Sequence, residues 1–393
     1  MPRHAETIAN GATHDQGRLQ CRHRRTGRHP GTGRQRHRLV LHVGGRSRRT
    51  QRLAGKTSAR FRGVPQAAVT KADWLPYALP LNEPWQTSCG TTVLRRGRLL
   101  RLRSNDGRCG WGDCAPLPAF GIDETRATAF AEECAQLDLS AQRAGLPFNA
   151  WLGGNPPLAS IAVNASLGSL LTVSSAGLTA AYADGFQVIK LKVGVGTLGE
   201  EIASLQDLAD TLPVGCRLRL DANGAWSSAE ALAFFTACRD LPIEACEEPL
   251  REPDPRDLAR LQDGIPFAIA IDESLERLGK DLFRHPPVRR IVIKPARQGS
   301  LLASMEIALR ARAVGMEVIV SSGLESSCGL LAGAHLAAAV APQAVHGLAT
   351  ASWFACDTGE AVTIDNGRLI LPGETGIGFR WAGEAATAFA GER

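Results

Sequence analysis

Between about residues 160 and 350, short apolar or alternating runs recur at a nearly constant interval, each followed by a turn or helix-start signal. They lie near 160–166, 188–193, 217–221, 243–247, 267–272, 289–294, 317–321 and 344–348, with helix-like stretches such as 227–239, 255–262 and 301–314 between them. Charged residues close five of the runs: Lys192, Asp221, Glu247, Asp272 and Lys294, in steps of 29, 26, 25 and 22 residues. That interval is the length of one strand–loop–helix–loop unit, and strands alternating with helices imply a parallel sheet. Eight such units close into a (β/α)-type barrel, whose functional side chains gather at the C-terminal strand ends. A doubly wound open sheet is the alternative, but no Gly-rich phosphate loop follows any of these strands.

The flanking regions differ. Residues 70–155 read as a smaller α+β capping domain that begins with strands, such as 91–93 and 99–102. The hairpin signal Asn105-Asp-Gly107 follows them. The stretch Leu139-Ser-Ala-Gln-Arg-Ala-Gly145 reads as a helix ending on glycine, and the segment between Phe120 and Leu137 is short for a cap. The barrel is expected over 156–355, and 356–393 is expected to pack back on the cap, with a hairpin signature at 362–371.

Composition changes the picture at the N-terminus. Residues 1–62 hold sixteen Arg and Lys against two acids, so their formal charge is +14, while the rest of the chain carries −8. A segment so poor in apolar surface cannot offset the entropy of ordering, and disorder is expected over 1–63. Three explanations compete, and a misplaced start is the favoured reading. An organelle transit peptide is Arg-rich but typically also amphipathic and Ser-rich, as this segment is not. A basic tail for nucleic acid or anionic membrane is the third. The tail lacks aromatic interleaving, so no nucleic-acid partner is expected. The ten cysteines form no Cys-x-x-Cys pair, and the most apolar stretch, 329–340, is too short to span a bilayer. No membrane partner and a reducing, cytoplasmic setting are therefore expected.

Candidate chemistry lies at the strand ends. Only six lysines occur against thirty-nine arginines, and three of the six, Lys190, Lys192 and Lys294, fall on these strands. Arginine cannot act as a general base, whereas a lysine pKa moves readily on burial. Lys190 and Lys192 are two apart and so share one side of their strand. Stems snorkelling from the strand ends are the other reading. Asp221, Glu247 and Asp272 end three successive strands; hard oxygen donors converging on one point call for a cation, and Mg²⁺ or Mn²⁺ suits them. Taken singly, each acid is better read as a helix cap or a partner for a barrel arginine; the metal reading rests on all three standing at successive strand ends.

The motifs Lys190-Leu-Lys192, Leu220-Asp-Ala-Asn223, Glu247-Glu-Pro249, Asp272-Glu-Ser274, Val292-Ile-Lys-Pro295 and Ser321-Ser-Gly-Leu-Glu-Ser-Ser327 resemble the enolase superfamily. The resemblance lies in its muconate-lactonizing branch and is greatest to the o-succinylbenzoate synthase family of menaquinone biosynthesis. It runs from about Asp73 to Phe354 and includes Gly110-Trp-Gly-Asp-Cys-Ala-Pro-Leu-Pro118. It implies Mg²⁺ held by Asp221, Glu247 and Asp272, and a small carboxylate substrate. Lys192 would remove the proton alpha to the carboxylate, Lys294 would stabilise the resulting anion, and Lys190 would lower the pKa of Lys192. Ser321 and Gly347 would meet the substrate's succinyl end. Asn223, Glu248 and Glu325 have two readings each, as groups orienting the site or as ordinary loop and cap partners. Arg297 resembles the related N-succinylamino acid racemases, which are the enzymatic alternative. A catalytically silent barrel with a nucleic-acid-binding tail is the alternative of another class.

Overall fold

A computed structural model describes residues 69–87 and 90–383. The basic segment 1–63, with its expected disorder, lies outside the described residues. The chain opens with a three-stranded antiparallel sheet, β1 (Val69–Thr87), β2 (Gly90–Ser104) and β3 (Cys109–Cys114), in the order β1-β2-β3. The turn at 105–108 is the expected hairpin, with Gly107 N–H donating to Ser104 O at 3.2 Å. Helix α1 (Glu124–Ala144) follows, started by Asp123, whose side chain accepts Arg126 N–H, and ended by left-handed Gly145. The helix expected at 139–145 is thus the last third of a 21-residue helix that fills the short segment after Phe120. Phe130, Ala131, Cys134 and Ala135 form its buried face. It lies directly on β3 because Gly110 and Gly112 carry no side chain; a Cβ on Gly112 would sit 1.9 Å from Ala131 O.

After α2 (Phe148–Gly153) come β4 (Ser160–Val163), β5 (Ala165–Ser169), α3 (Ser175–Ala183), β6 (Val188–Lys192), α4 (Leu198–Ala209), β7 (Arg217–Asp221) and α5 (Ser228–Cys238). Then follow β8 (Ile243–Glu247), α6 (Pro255–Asp263), β9 (Ala268–Ile271), α7 (Leu275–Leu278), β10 (Arg290–Ile293), α8 (Pro295–Gln298) and α9 (Leu301–Ala313). The alternation ends with β11 (Glu317–Val320), α10 (Ser327–Val340) and β12 (Val345–His346), and β13 (Ile364–Asp365) and β14 (Arg368–Ile370) complete the chain. Strands β5 to β11 form one seven-stranded parallel sheet in sequence order.

One expected strand is really two. The run at 160–166 breaks at Asn164: β4 pairs with β12 and β14, whereas β5 pairs with β6. Asn164 N–H turns to His346 O at 2.9 Å, and its side-chain oxygen accepts from the buried Arg219 guanidinium at 3.0 Å. The break closes the sheet. Beyond β11 a parallel bridge joins Ser321 to Gly347, and β12 then pairs with β4, which runs on into β5. The result is the expected modified (β/α)8-type barrel beside a smaller α+β domain. Its apolar core is interrupted by a salt-bridged layer in which Glu244 joins Arg219 at 3.0 Å and Arg290 at 2.6 Å.

The chain after β12 laces the two layers together. Leu81 bridges Phe354, and Asn82 Nδ2 donates to Ser352 O at 2.9 Å. β14 pairs antiparallel with β4, while Ile377 N–H donates to Asp138 of α1 at 2.8 Å. Phe379 then packs edge-on against Trp111 of β3, ring centres 5.3 Å apart. Among the described residues no helix is long and apolar enough to cross a membrane.

Candidate active site

The strand registers set the candidate residues side by side. Lys192 of β6 is the cross-strand partner of Asp221 on β7, which in turn faces Glu247 on β8. Asp272 follows β9 by one residue and Lys294 follows β10 by one. All five stand at the C-terminal end of the barrel. Ser321 and Gly347 meet at the same end, beyond β11 and β12, with Ser321 Oγ donating to Gly347 O at 3.2 Å. Ser321 N–H also donates to Ile293 O at 2.9 Å, which sets it beside the strand that carries Lys294.

The three carboxylates are nearly sealed from water: Asp221 is 7 %, Glu247 2 % and Asp272 4 % exposed. Such burial penalises charge strongly unless cations stand close. Here they do. Lys190 pairs with Asp221 at 2.8 Å and also with Glu247. Lys294 pairs with Asp272, whose other oxygen accepts from Arg297 Nη1 at 2.6 Å. Burial opposes the charge on Asp272, but Lys294 and Arg297 overcome it and hold the carboxyl at about 2. Burial also opposes the charge on Lys190, yet Asp221 and Glu247 push its pKa well above the usual lysine range. For Glu247 burial prevails over Lys190, helped by repulsion from Asp221 and Asp272, and its pKa is raised.

Lys190 and Lys192 share a strand side but not a partner. Lys190 sits among the carboxylates, whereas Lys192 reaches outward to Asn223 Oδ1 at 2.5 Å. Asn223 holds a left-handed backbone (φ 45°) supported by its N–H donating to Asp221 Oδ1 at 3.2 Å. Glu248, also at positive φ, accepts Asp272 N–H at 2.9 Å and Ser274 N–H at 3.3 Å, so it holds the turn that carries Asp272. Glu325 accepts Gly323 N–H at 2.9 Å and Ser322 Oγ–H at 2.8 Å; its partners are those of its own loop. Arg297 also donates through Nε to Phe120 O at 2.9 Å, tying the turn before α1 to the site. Phe120 stacks on Trp85, and Trp353 meets Trp85 edge-on.

Among the described residues no three Asp, Glu, His or Cys side chains are already grouped as a metal cage, because ammonium groups stand between these carboxylates. The donor set nonetheless suits a hard divalent cation: three carboxylates on adjacent strands, buried and sharing one end of a barrel.

A parallel barrel bearing acids and lysines at its C-terminal strand ends defines a class of barrel enzymes whose charged groups gather at one polar centre. The chain belongs to the enolase superfamily: the family described as "Enolase C-terminal domain-like" matches residues 175–386. It is 32% identical over 300 residues to the o-succinylbenzoate synthase of Enterobacter sp. (strain 638), covering 68% of this chain and 88% of that one. It is 26% identical over 302 residues to the L-Ala-D/L-Glu epimerase of Bacillus subtilis (strain 168), covering 66% of this chain and 82% of that one. The dipeptide epimerase of Enterococcus faecalis V583, solved with Mg and the dipeptide L-Leu-L-Tyr, shares the fold. The TM-score is 0.72 at 22% identity, over 79% of this chain and 99% of that one.

Proposed function

We propose that this enzyme is an o-succinylbenzoate synthase of menaquinone biosynthesis. It would dehydrate 2-succinyl-6-hydroxy-2,4-cyclohexadiene-1-carboxylate, in a syn sense, to 2-succinylbenzoate. The observation that carries the reading is the placement of Lys192 and Lys294 on either side of the buried carboxylates, with Asp221 in electrostatic reach of both. The 32% likeness to a synthase supports the particular reaction.

A proton alpha to a carboxylate is very weakly acidic, so its removal needs a base and concentrated positive charge in a water-poor place. Asp221, Glu247 and Asp272 would hold Mg²⁺, or Mn²⁺ in its place. When bound, the metal supplies Lewis-acid stabilisation of the substrate carboxylate. Lys192 Nζ takes the proton, the bond to the ring hydroxyl breaks, and the same ammonium returns the proton so that water leaves. The Lys294 ammonium, across the site, stabilises the anion formed between the two steps. Lys190 remains charged and partly offsets the buried acids. Ser321 and Gly347 would face the succinyl end.

A second reading, an N-succinylamino acid racemase, has two observations in its favour. Arg297 is bound directly to Asp272, and an epimerase is among the relatives. Lys192 and Lys294 would then act as opposed acid and base. The test is 2-succinylbenzoate formation by the purified chain with and without Mg²⁺, beside Lys192→Ala and Asp221→Ala. Metal-dependent turnover that both variants abolish is the expected result. A folded, metal-binding chain without turnover overturns the synthase, and N-succinylamino acids become the substrates to try.

A further inference from the structure

One buried carboxylate takes no part in the reaction just described, yet it holds the loop that leaves the Lys192 strand. Glu201, in the first turn of α4, is 0 % exposed. Its Oε2 accepts Gly194 N–H at 2.8 Å, and its Oε1 accepts Val195 N–H at 2.8 Å and Gly196 N–H at 3.1 Å. Three successive backbone N–H groups thus point at one carboxylate, an anion-binding nest filled from within the chain. Burying an ionised carboxyl is costly without such partners, so the bonds hold side chain and loop to each other.

The loop begins two residues after Lys192. Val193 N–H donates to Asp221 O at 3.0 Å, and Lys192 O accepts Leu170 N–H at 2.8 Å, which fixes the strand end on both sides. Gly194, at φ 76°, passes so near the Asn223 loop that a Cβ there would lie 2.3 Å from Ala225 Cβ. The Asn223 loop supplies the oxygen that receives Lys192 Nζ. The 194–196 loop that Glu201 holds thus follows Lys192 in the chain and packs on the loop that carries its partner Asn223.

We propose that Glu201 is a positioning residue for Lys192, acting by fixing the three N–H groups of Gly194, Val195 and Gly196. The inference rests on the role proposed for Lys192 as the base. Reacting groups must be placed to within a fraction of an ångström, and a displacement of about 1 Å costs roughly a hundredfold in rate.

The test compares the full-length enzyme with Glu201→Gln, which keeps the reach but replaces one acceptor oxygen by a donor. Glu201→Asp, which keeps the charge but withdraws it by one methylene, is run beside it. The substrate is the hydroxycyclohexadiene carboxylate, with and without deuterium at the abstracted position, and Lys192→Ala is the control. Both variants are expected to lower kcat by about ten- to a hundredfold with KM within about threefold. Their deuterium isotope effect on kcat should rise, because proton removal becomes slower than the other steps. A purely structural loss would not move the isotope effect. Wild-type kcat and isotope effect in both variants overturn the inference while Lys192→Ala stays inactive, and so does failure of both variants to fold. Turnover that does not depend on Lys192 removes the reading of the site itself, and this inference with it.

Discussion

The Lys190 ammonium stands 2.8 Å from the Asp221 carboxylate and pairs at the same time with Glu247 on the next strand. One cation thus serves two nearly sealed acids. Removing one partner of a buried pair leaves uncompensated charge, at a cost of about 3–5 kcal/mol. Lys190→Ala should therefore lose stability on this scale in urea unfolding with a chelator present. Saturating Mg²⁺ should restore more of the loss than it adds to wild type, since ligand binding to the folded state is stabilising. Equal gains in both proteins would count against a metal among these acids.

Arg297 uses the fork of its guanidinium, giving Nη1 to Asp272 at 2.6 Å and Nε to Phe120 O at 2.9 Å. Lysine offers a single point of charge and cannot reproduce that planar pair of bonds. Arg297→Lys is expected to cost about 1–3 kcal/mol by leaving a buried acceptor unmade. An unchanged unfolding midpoint would mean that the link between the Phe120 turn and Asp272 carries no energy.

Gly112 is where α1 lies closest to β3. A methyl group there meets backbone rather than a side chain that can swing aside. Gly112→Ala should destabilise by about 1–3 kcal/mol or more through forced separation of helix and strand. Thermal unfolding and the near-ultraviolet signal of neighbouring Trp111 would record it. A neutral substitution would show that the helix moves freely.

Two sealed histidines give an acid dependence. His335 Nδ1 accepts Asn149 N–H at 3.2 Å while Nε2–H donates to Ile377 O at 3.1 Å. His346 is held in the same way, by Val320 N–H at 3.1 Å and Ala341 O at 3.0 Å. Burial pushes both pKa values down to about 4. Between pH 6.5 and 4 the unfolded chain binds protons that these folded rings refuse, so their contribution is lost as pH falls. Asp113 and Asp138 run the other way: burial raises each to about 6, so their contribution is lost as pH rises through that value. His335→Gln should remove one acid-sensitive group. Its stability relative to wild type should rise by roughly 2 kcal/mol between pH 6.5 and 4.5 in urea unfolding. Parallel curves for the two proteins would contradict the buried neutral ring.

Much of this was legible in the chain because both signals involved are local. The period-two and longer helical runs located the barrel strands to within a few residues, and the acids and lysines at their ends follow from that spacing. Where one run hid two strands, at Asn164, the reason is not local: partners from β12 and β14 on one side and β6 on the other divide it. Lys190 and Lys192 look equivalent in Lys-Leu-Lys, since alternation assigns a side of a strand but not a depth. Only the closed barrel puts one among the acids and the other against Asn223. Nothing local in the chain singles out Glu201 or Arg219; folding seals both and surrounds them with specific partners. The sequence by itself determined which elements form and which residue types reach the barrel mouth, because backbone periodicity and turn chemistry act over a few residues. Which charges neutralise which, and which carboxylate holds a loop instead of facing the site, the tertiary structure alone decided. Burial and pairing depend on segments as far apart in the chain as Asn82 and Ser352, 270 residues.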